Sequence, residues 1–96
     1  MDDKHLFKFY ASLTARQQQV LQLVCEGLTN KEIAYRLGIT SNVVAGHLTV
    51  LYEEWNAVDR MTQVYPNRYA LLLIFAPFFA RYPELKDNDL FATRGV

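Results

Sequence analysis

Gly27-Leu28-Thr29-Asn30-Lys31-Glu32-Ile33-Ala34-Tyr35-Arg36-Leu37-Gly38-Ile39-Thr40-Ser41-Asn42 reads as a short helix, a turn and the opening of a second helix. Thr29 and Glu32 stand at capping-box spacing: the threonine oxygen accepts the amide three residues on, and the glutamate reaches back to the threonine amide. Ile33, Ala34 and Leu37 supply an inner face about two turns long, and Gly38 can take the left-handed conformation that closes it. Thr40 then suits the cap of a helix running through Val44, Leu48, Leu51 and Trp55. Two helices joined by a short glycine-containing turn make a helix-turn-helix.

Toward the N-terminus, Thr14 and Gln17 form a second capping box, so a helix starts there. Val20, Leu21, Val24 and Leu28 recur at three- and four-residue steps, which predicts one buried stripe with Gln18, Gln22 and Glu26 opposite it and an end at Gly27. Residues 2–11 have a weaker helical signal, with Asp2 or Asp3 as the cap. Cys25 is expected as a small buried hydrophobe.

Toward the C-terminus, Asn56 to Tyr65 reads as a linker or a poorly specified helical turn, and Pro66 suits the first turn of an apolar helix carrying Tyr69 to Phe75. Pro77 is expected to kink or end that helix, and the chain turns polar from Lys86. The expected organisation is an N-terminal extension (1–12), the helix-turn-helix (13–60), an apolar helical segment (61–85) and a polar tail (86–96). Period-two alternation is not sustained, so the class is all-α.

Composition narrows the function. Ninety-six residues suit one small core, and ten basic residues against ten acidic ones give no long-range attraction to a polyanion, so nucleic-acid binding must rest on local geometry. Cys25 is the single cysteine, and His5 and His47 are the only histidines. No disulfide or zinc-ligand spacing arises, and no metal or cofactor is expected. The acidic start lacks a secretory pattern, and Tyr69 to Ala80 is well short of the roughly 20 residues that span a bilayer. A cytoplasmic protein with no membrane partner is expected. Paired carboxylates, an activated nucleophile and a phosphate-cradling glycine loop are all missing, which argues against an enzyme.

The strings Leu13-Thr14-Ala15-Arg16-Gln17, Val20-Leu21, Glu26 through Ala34, and Arg36-Leu37-Gly38-Ile39-Thr40, continuing at Val44 and His47, closely resemble the LuxR/GerE/FixJ-type DNA-binding domain from Leu13 to roughly Arg60. The resemblance implies an all-α, four-helix helix-turn-helix module, here with an added N-terminal segment and an apolar C-terminal helix. It also implies a bacterial transcription regulator that places its third helix, Ser41 to Trp55, in the major groove of double-stranded DNA and dimerises through its fourth. The DNA-binding candidates are Thr29, Asn30 and Lys31 at one helix start, where free amides favour an anion, and Ser41, Asn42, Val43, Ala45, Gly46, His47 and Thr49 on the third helix. Tyr69 to Phe79 suits intradomain core, a dimer seam or a partner's docking site; a homodimer is favoured, with Tyr69, Leu72, Leu73, Phe75, Ala76 and Phe79 as its candidates. His47 suits either a DNA phosphate or a backbone carbonyl, and Gly46 either a close approach or neutral drift.

The departures also carry information. Ala45 stands where the family usually has lysine, Glu53 and Glu54 where basic residues are frequent, and Ser41 to Trp55 holds no lysine or arginine. Each missing phosphate contact removes a counterion-release contribution to affinity. Two functions are therefore expected to compete: a DNA-binding regulator, and a module on the same scaffold that binds another transcription regulator. Only about a dozen residues precede Leu13, so control is expected from expression level, a partner or the tail.

Overall fold

The computed structural model describes residues 2–58 and 67–87. All regular structure among them is helical: α1 (Asp3–Ser12), α2 (Ala15–Cys25), α3 (Asn30–Leu37), α4 (Ser41–Val58), α5 (Arg68–Arg81) and the single turn α6 (Glu84–Asp87). The third helix expected from the sequence is α4. It runs on through Asn56 to Val58, residues expected as a linker or a poorly specified helical turn. Residues 59–66, with Pro66, and the tail from residue 88 lie outside the described residues.

Local chemistry sets the helix ends. Thr14 Oγ1 accepts from the Gln17 amide while Gln17 Oε1 accepts from the Thr14 amide, and Thr29 and Glu32 exchange the same pair of bonds. Gly27 and Gly38 hold φ of +89° and +70°, which costs glycine no Cβ clash. Thr40 Oγ1 accepts from the Val43 amide at 3.1 Å and starts α4. Asp2 caps α1, and Asn67 caps α5.

The core is continuous. Val20, Leu21, Leu23 and Val24 of α2 bury against Ile33 and Ala34 of α3 and Val44, Leu48, Leu51 and Trp55 of α4. An aromatic layer completes it, with Phe9 of α1 5.0 Å from Trp55 and Trp55 5.3 Å from Phe75 of α5, ring centre to ring centre. Edge-to-face pairs at this separation add to the area they bury. Residues of α1 to α5 thus share one core, with α1 packed against Trp55 of α4 and Phe75 of α5.

One expectation is corrected and one is narrowed. Gln22, placed on the solvent side of α2 by periodicity, is buried, and its Nε2 donates to the Tyr10 hydroxyl and to the Leu85 carbonyl. Partners from α1 and α6 cover that face and supply the bonds a buried amide requires, and periodicity within α2 cannot register them. Of the two outcomes expected at Pro77, a kink or an end, the end is not found: α5 continues to Arg81. Leu73, whose carbonyl would have bonded the missing amide, shares an exposed stripe with Pro77, so water can take that acceptor while Phe75, Phe78 and Phe79 anchor the opposite face. Cys25 is half-buried, and burial pushes its thiol up to about 12.

Candidate nucleic-acid interface

One face of α4 is fastened to the core and the other turned outward. Val44, Leu48, Leu51 and Trp55 are buried, whereas Ser41, Asn42, Val43, Ala45, Gly46 and Thr49 are exposed. His47 is half-buried, at the margin between the two faces. A helix held this way presents its first turns without moving its backbone. The Thr49 hydroxyl donates to the Ala45 carbonyl at 3.1 Å, so it offers an incoming group an acceptor. A Cβ built on Gly46 meets nothing within 4 Å, so packing within the chain does not account for glycine there.

The second part is the start of α3. The capping box occupies the Thr29 and Glu32 amides, leaving Asn30 and Lys31 as the first-turn amides outside it. Bonds from the Thr29 amide and hydroxyl hold the Glu32 carboxyl below its ordinary range, which places a negative charge at this helix start. The Lys31 side chain is exposed, whereas Asn30 is half-buried and its Oδ1 accepts from Arg68 Nη1. A second Arg68 nitrogen, Nη2, donates to the Leu28 carbonyl.

Two residues beside the α3 start fall outside the candidates drawn from the sequence. Arg68 has its partners 38 and 40 positions earlier, and no local spacing reports them. Tyr35 is 91% exposed and borders a shallow depression with Leu28, Lys31, Glu32 and Arg36. Its position off the Ile33/Ala34/Leu37 face is the signal that could have found it.

The residues expected at a dimer seam divide. Phe75 and Phe79 are 0% and 3% exposed within a single chain, Phe75 against Phe9 and Trp55 and Phe79 against Tyr10, so of the readings open for this stretch they fit intradomain core. Leu72 and Ala76 are half-buried. Tyr69 and Leu73, 68% and 59% exposed, form with exposed Pro77 the outward stripe of α5. No described helix is long and apolar enough to cross a membrane.

The family model of bacterial regulatory proteins, luxR family, matches residues 11–65. The chain is 39% identical over 64 residues to the transcriptional regulatory protein LiaR of Bacillus subtilis, a span of 66% of this chain and 30% of LiaR. It is 38% identical over 63 residues to the HTH-type transcriptional regulator AlkS of Alcanivorax borkumensis, 66% of this chain and 7% of AlkS. Over 35 residues it is 57% identical to the two-component response regulator PprB of Pseudomonas aeruginosa, 36% of this chain and 13% of PprB. The chain thus spans less than a third of these relatives' length. No solved structure gives a significant match. With more than half of its residues inside the family match, and a capped helix-turn-helix at its centre, the chain belongs to the luxR family of bacterial regulatory proteins.

Proposed function

We propose that this chain is a cytoplasmic DNA-binding transcription regulator that lays the exposed face of α4 in the major groove and acts as a dimer. The observation that carries the reading is the division of α4, buried along Val44, Leu48, Leu51 and Trp55 and exposed along Asn42, Val43, Ala45, Gly46 and Thr49. Helix-turn-helix proteins read bases from the N-terminal turns of such a helix while the preceding helix crosses the phosphate backbone. Asn42 suits an adenine edge, Val43 and Ala45 suit thymine methyls, and the Thr49 hydroxyl oxygen suits a base amino group. Thr29, Asn30, Lys31 and Ser41 face the backbone, Lys31 as the cation of the corner. The Tyr69/Leu73 stripe is the surface this reading assigns to a second copy.

A second reading is favoured by one specific observation: Ser41 to Val58 holds Glu53 and Glu54 and no lysine or arginine. Under it the scaffold binds another transcription regulator rather than a duplex. Electrophoretic shifts of the chain alone against randomised duplex pools, at several salt concentrations, separate the two. The DNA reading expects a selected site and a log-log salt slope well short of about −10, because each neutralised phosphate contributes about −0.9 and few cations are at hand. It also expects Lys31→Ala to weaken all duplexes alike, and Asn42→Ala or Thr49→Ala to change the selected site. Absence of any selected complex at low salt sinks the DNA reading in favour of the protein partner.

A further inference from the structure

Arg68 is the first residue of α5, directly after the Asn67 cap, and it is half-buried. Its guanidinium reaches across to another helix, one nitrogen donating to Asn30 Oδ1 and the other to the Leu28 carbonyl. Leu28 immediately precedes the Thr29 cap, and Asn30 is the first residue of α3. The fork therefore grips the chain on both sides of the cap. It also lies near α4, where its charge opposes the upward push that burial gives the Tyr52 phenol.

Local helix stability does not explain an arginine here. A cation at the N-terminus of its own helix opposes the macrodipole, and a second helix N-terminus lies against it. What the position does provide is a planar fork with two donors aimed in fixed directions, which lysine cannot reproduce. Two of the guanidinium donors are engaged inside the protein, whereas the Lys31 side chain, one residue beyond Asn30, is exposed.

We propose that Arg68 is a positioning residue for the α3 corner, holding Leu28 and Asn30 so that Lys31 and the first-turn amides face a DNA phosphate, and coupling that geometry to α5. The proposal rests on the DNA-binding reading above. It adds a residue outside the family match and a link between the outward stripe of α5 and the DNA face. Displacement of α5 would reach the corner through this side chain.

The test uses the full chain and a duplex selected from the pools, with Arg68→Ala, Arg68→Lys, Asn30→Ala, Lys31→Ala and the Arg68→Ala/Asn30→Ala double variant, all at temperatures where melts show them folded. Arg68→Ala is expected to weaken binding about tenfold, because Lys31 and the first-turn amides are no longer held toward the phosphate. Arg68→Lys is expected to rescue little, and the double variant to bind no worse than Arg68→Ala alone, the mark of two residues acting as one unit. Full rescue by Arg68→Lys would make Arg68 a direct phosphate ligand and overturn the proposal. Unchanged affinity in Arg68→Ala beside a weakened Lys31→Ala overturns it and leaves the DNA-binding reading intact. In the free protein, Arg68→Lys is expected to move the Asn30 and Lys31 amide resonances. If they stay in place, the clamp is absent, whether or not the chain binds DNA or Arg68→Ala folds.

Discussion

Arg81 donates to both carboxylate oxygens of Asp3, from Nη2 to Oδ1 at 2.6 Å and from Nε to Oδ2 at 3.1 Å, which joins the first turn of α1 to the last turn of α5. The Tyr82 hydroxyl donates to the same Oδ2 at 2.7 Å. Each charge suits its own helix end, acid at an N-terminus and base at a C-terminus. Beneath them Phe7 packs edge-on to Phe78 and Tyr82, at 4.9 and 4.6 Å between ring centres. The polar pair is exposed, so its contribution lies in orienting α1 over this cluster more than in Coulomb energy.

This arrangement predicts an acid-sensitive dock. The bonds from Arg81, and then from Tyr82, hold the Asp3 carboxyl below its ordinary range. A depressed folded value means that the unfolded chain binds more protons, so the stabilisation is complete above about pH 4 and is lost as pH falls through the folded value. Asp3→Asn is expected to lower Tm at neutral pH and to flatten the stability profile below about pH 4. Glu32, depressed by Thr29, keeps its own acid dependence in that variant. Urea melts between neutral and acid pH check this, and equal acid slopes in Asp3→Asn and the unmodified chain would contradict it.

Gly46 offers a test in which stability and binding move in opposite directions. A Cβ there meets nothing within 4 Å. Alanine in an exposed helix interior is worth about 0.5–1 kcal/mol over glycine. Gly46→Ala is expected to raise Tm while weakening duplex binding, if the α4 backbone comes close to base edges. A raised Tm with unchanged affinity places Gly46 away from the groove.

The two kinds of residue on α5 predict different failures. Leu73→Glu is expected to leave the helical spectrum and Tm nearly unchanged, because Leu73 is 59% exposed, while converting a dimer to monomer in sedimentation. Phe75→Ala is expected to cost about 3–5 kcal/mol, because it empties a site among Phe9, Trp55 and Phe78. A monomer for the unmodified chain at tens of micromolar, a range chosen to reveal a weak dimer, would rule out the α5 seam.

Cys25 is expected to be chemically quiet in the native chain. Burial pushes its thiol up to about 12, partly offset by Lys86 and reinforced by Glu26. The thiolate is the reactive form, so a disulfide reagent at pH 8 should react slowly with the folded protein and quickly in denaturant. Fast native labelling would show that α6 does not cover this part of α2.

The helix-turn-helix is legible along the chain, because each of its signals is local. The Thr14/Gln17 and Thr29/Glu32 boxes close across three residues, Gly27 and Gly38 need only their own φ, and the Val44/Leu48/Leu51/Trp55 stripe follows from helical period. The exposed face of α4 was legible for the same reason. Tertiary structure decided everything set by partners distant in sequence. Gln22 is buried because Tyr10 and Leu85 meet it. Phe75 and Phe79 became core because α1 folds over α5, which periodicity cannot show in a helix apolar around most of its circumference. Asn30 came under Arg68 from 38 residues away. Capping and period act within one or two turns of chain, whereas burial and clamping depend on which surfaces the closed fold brings together.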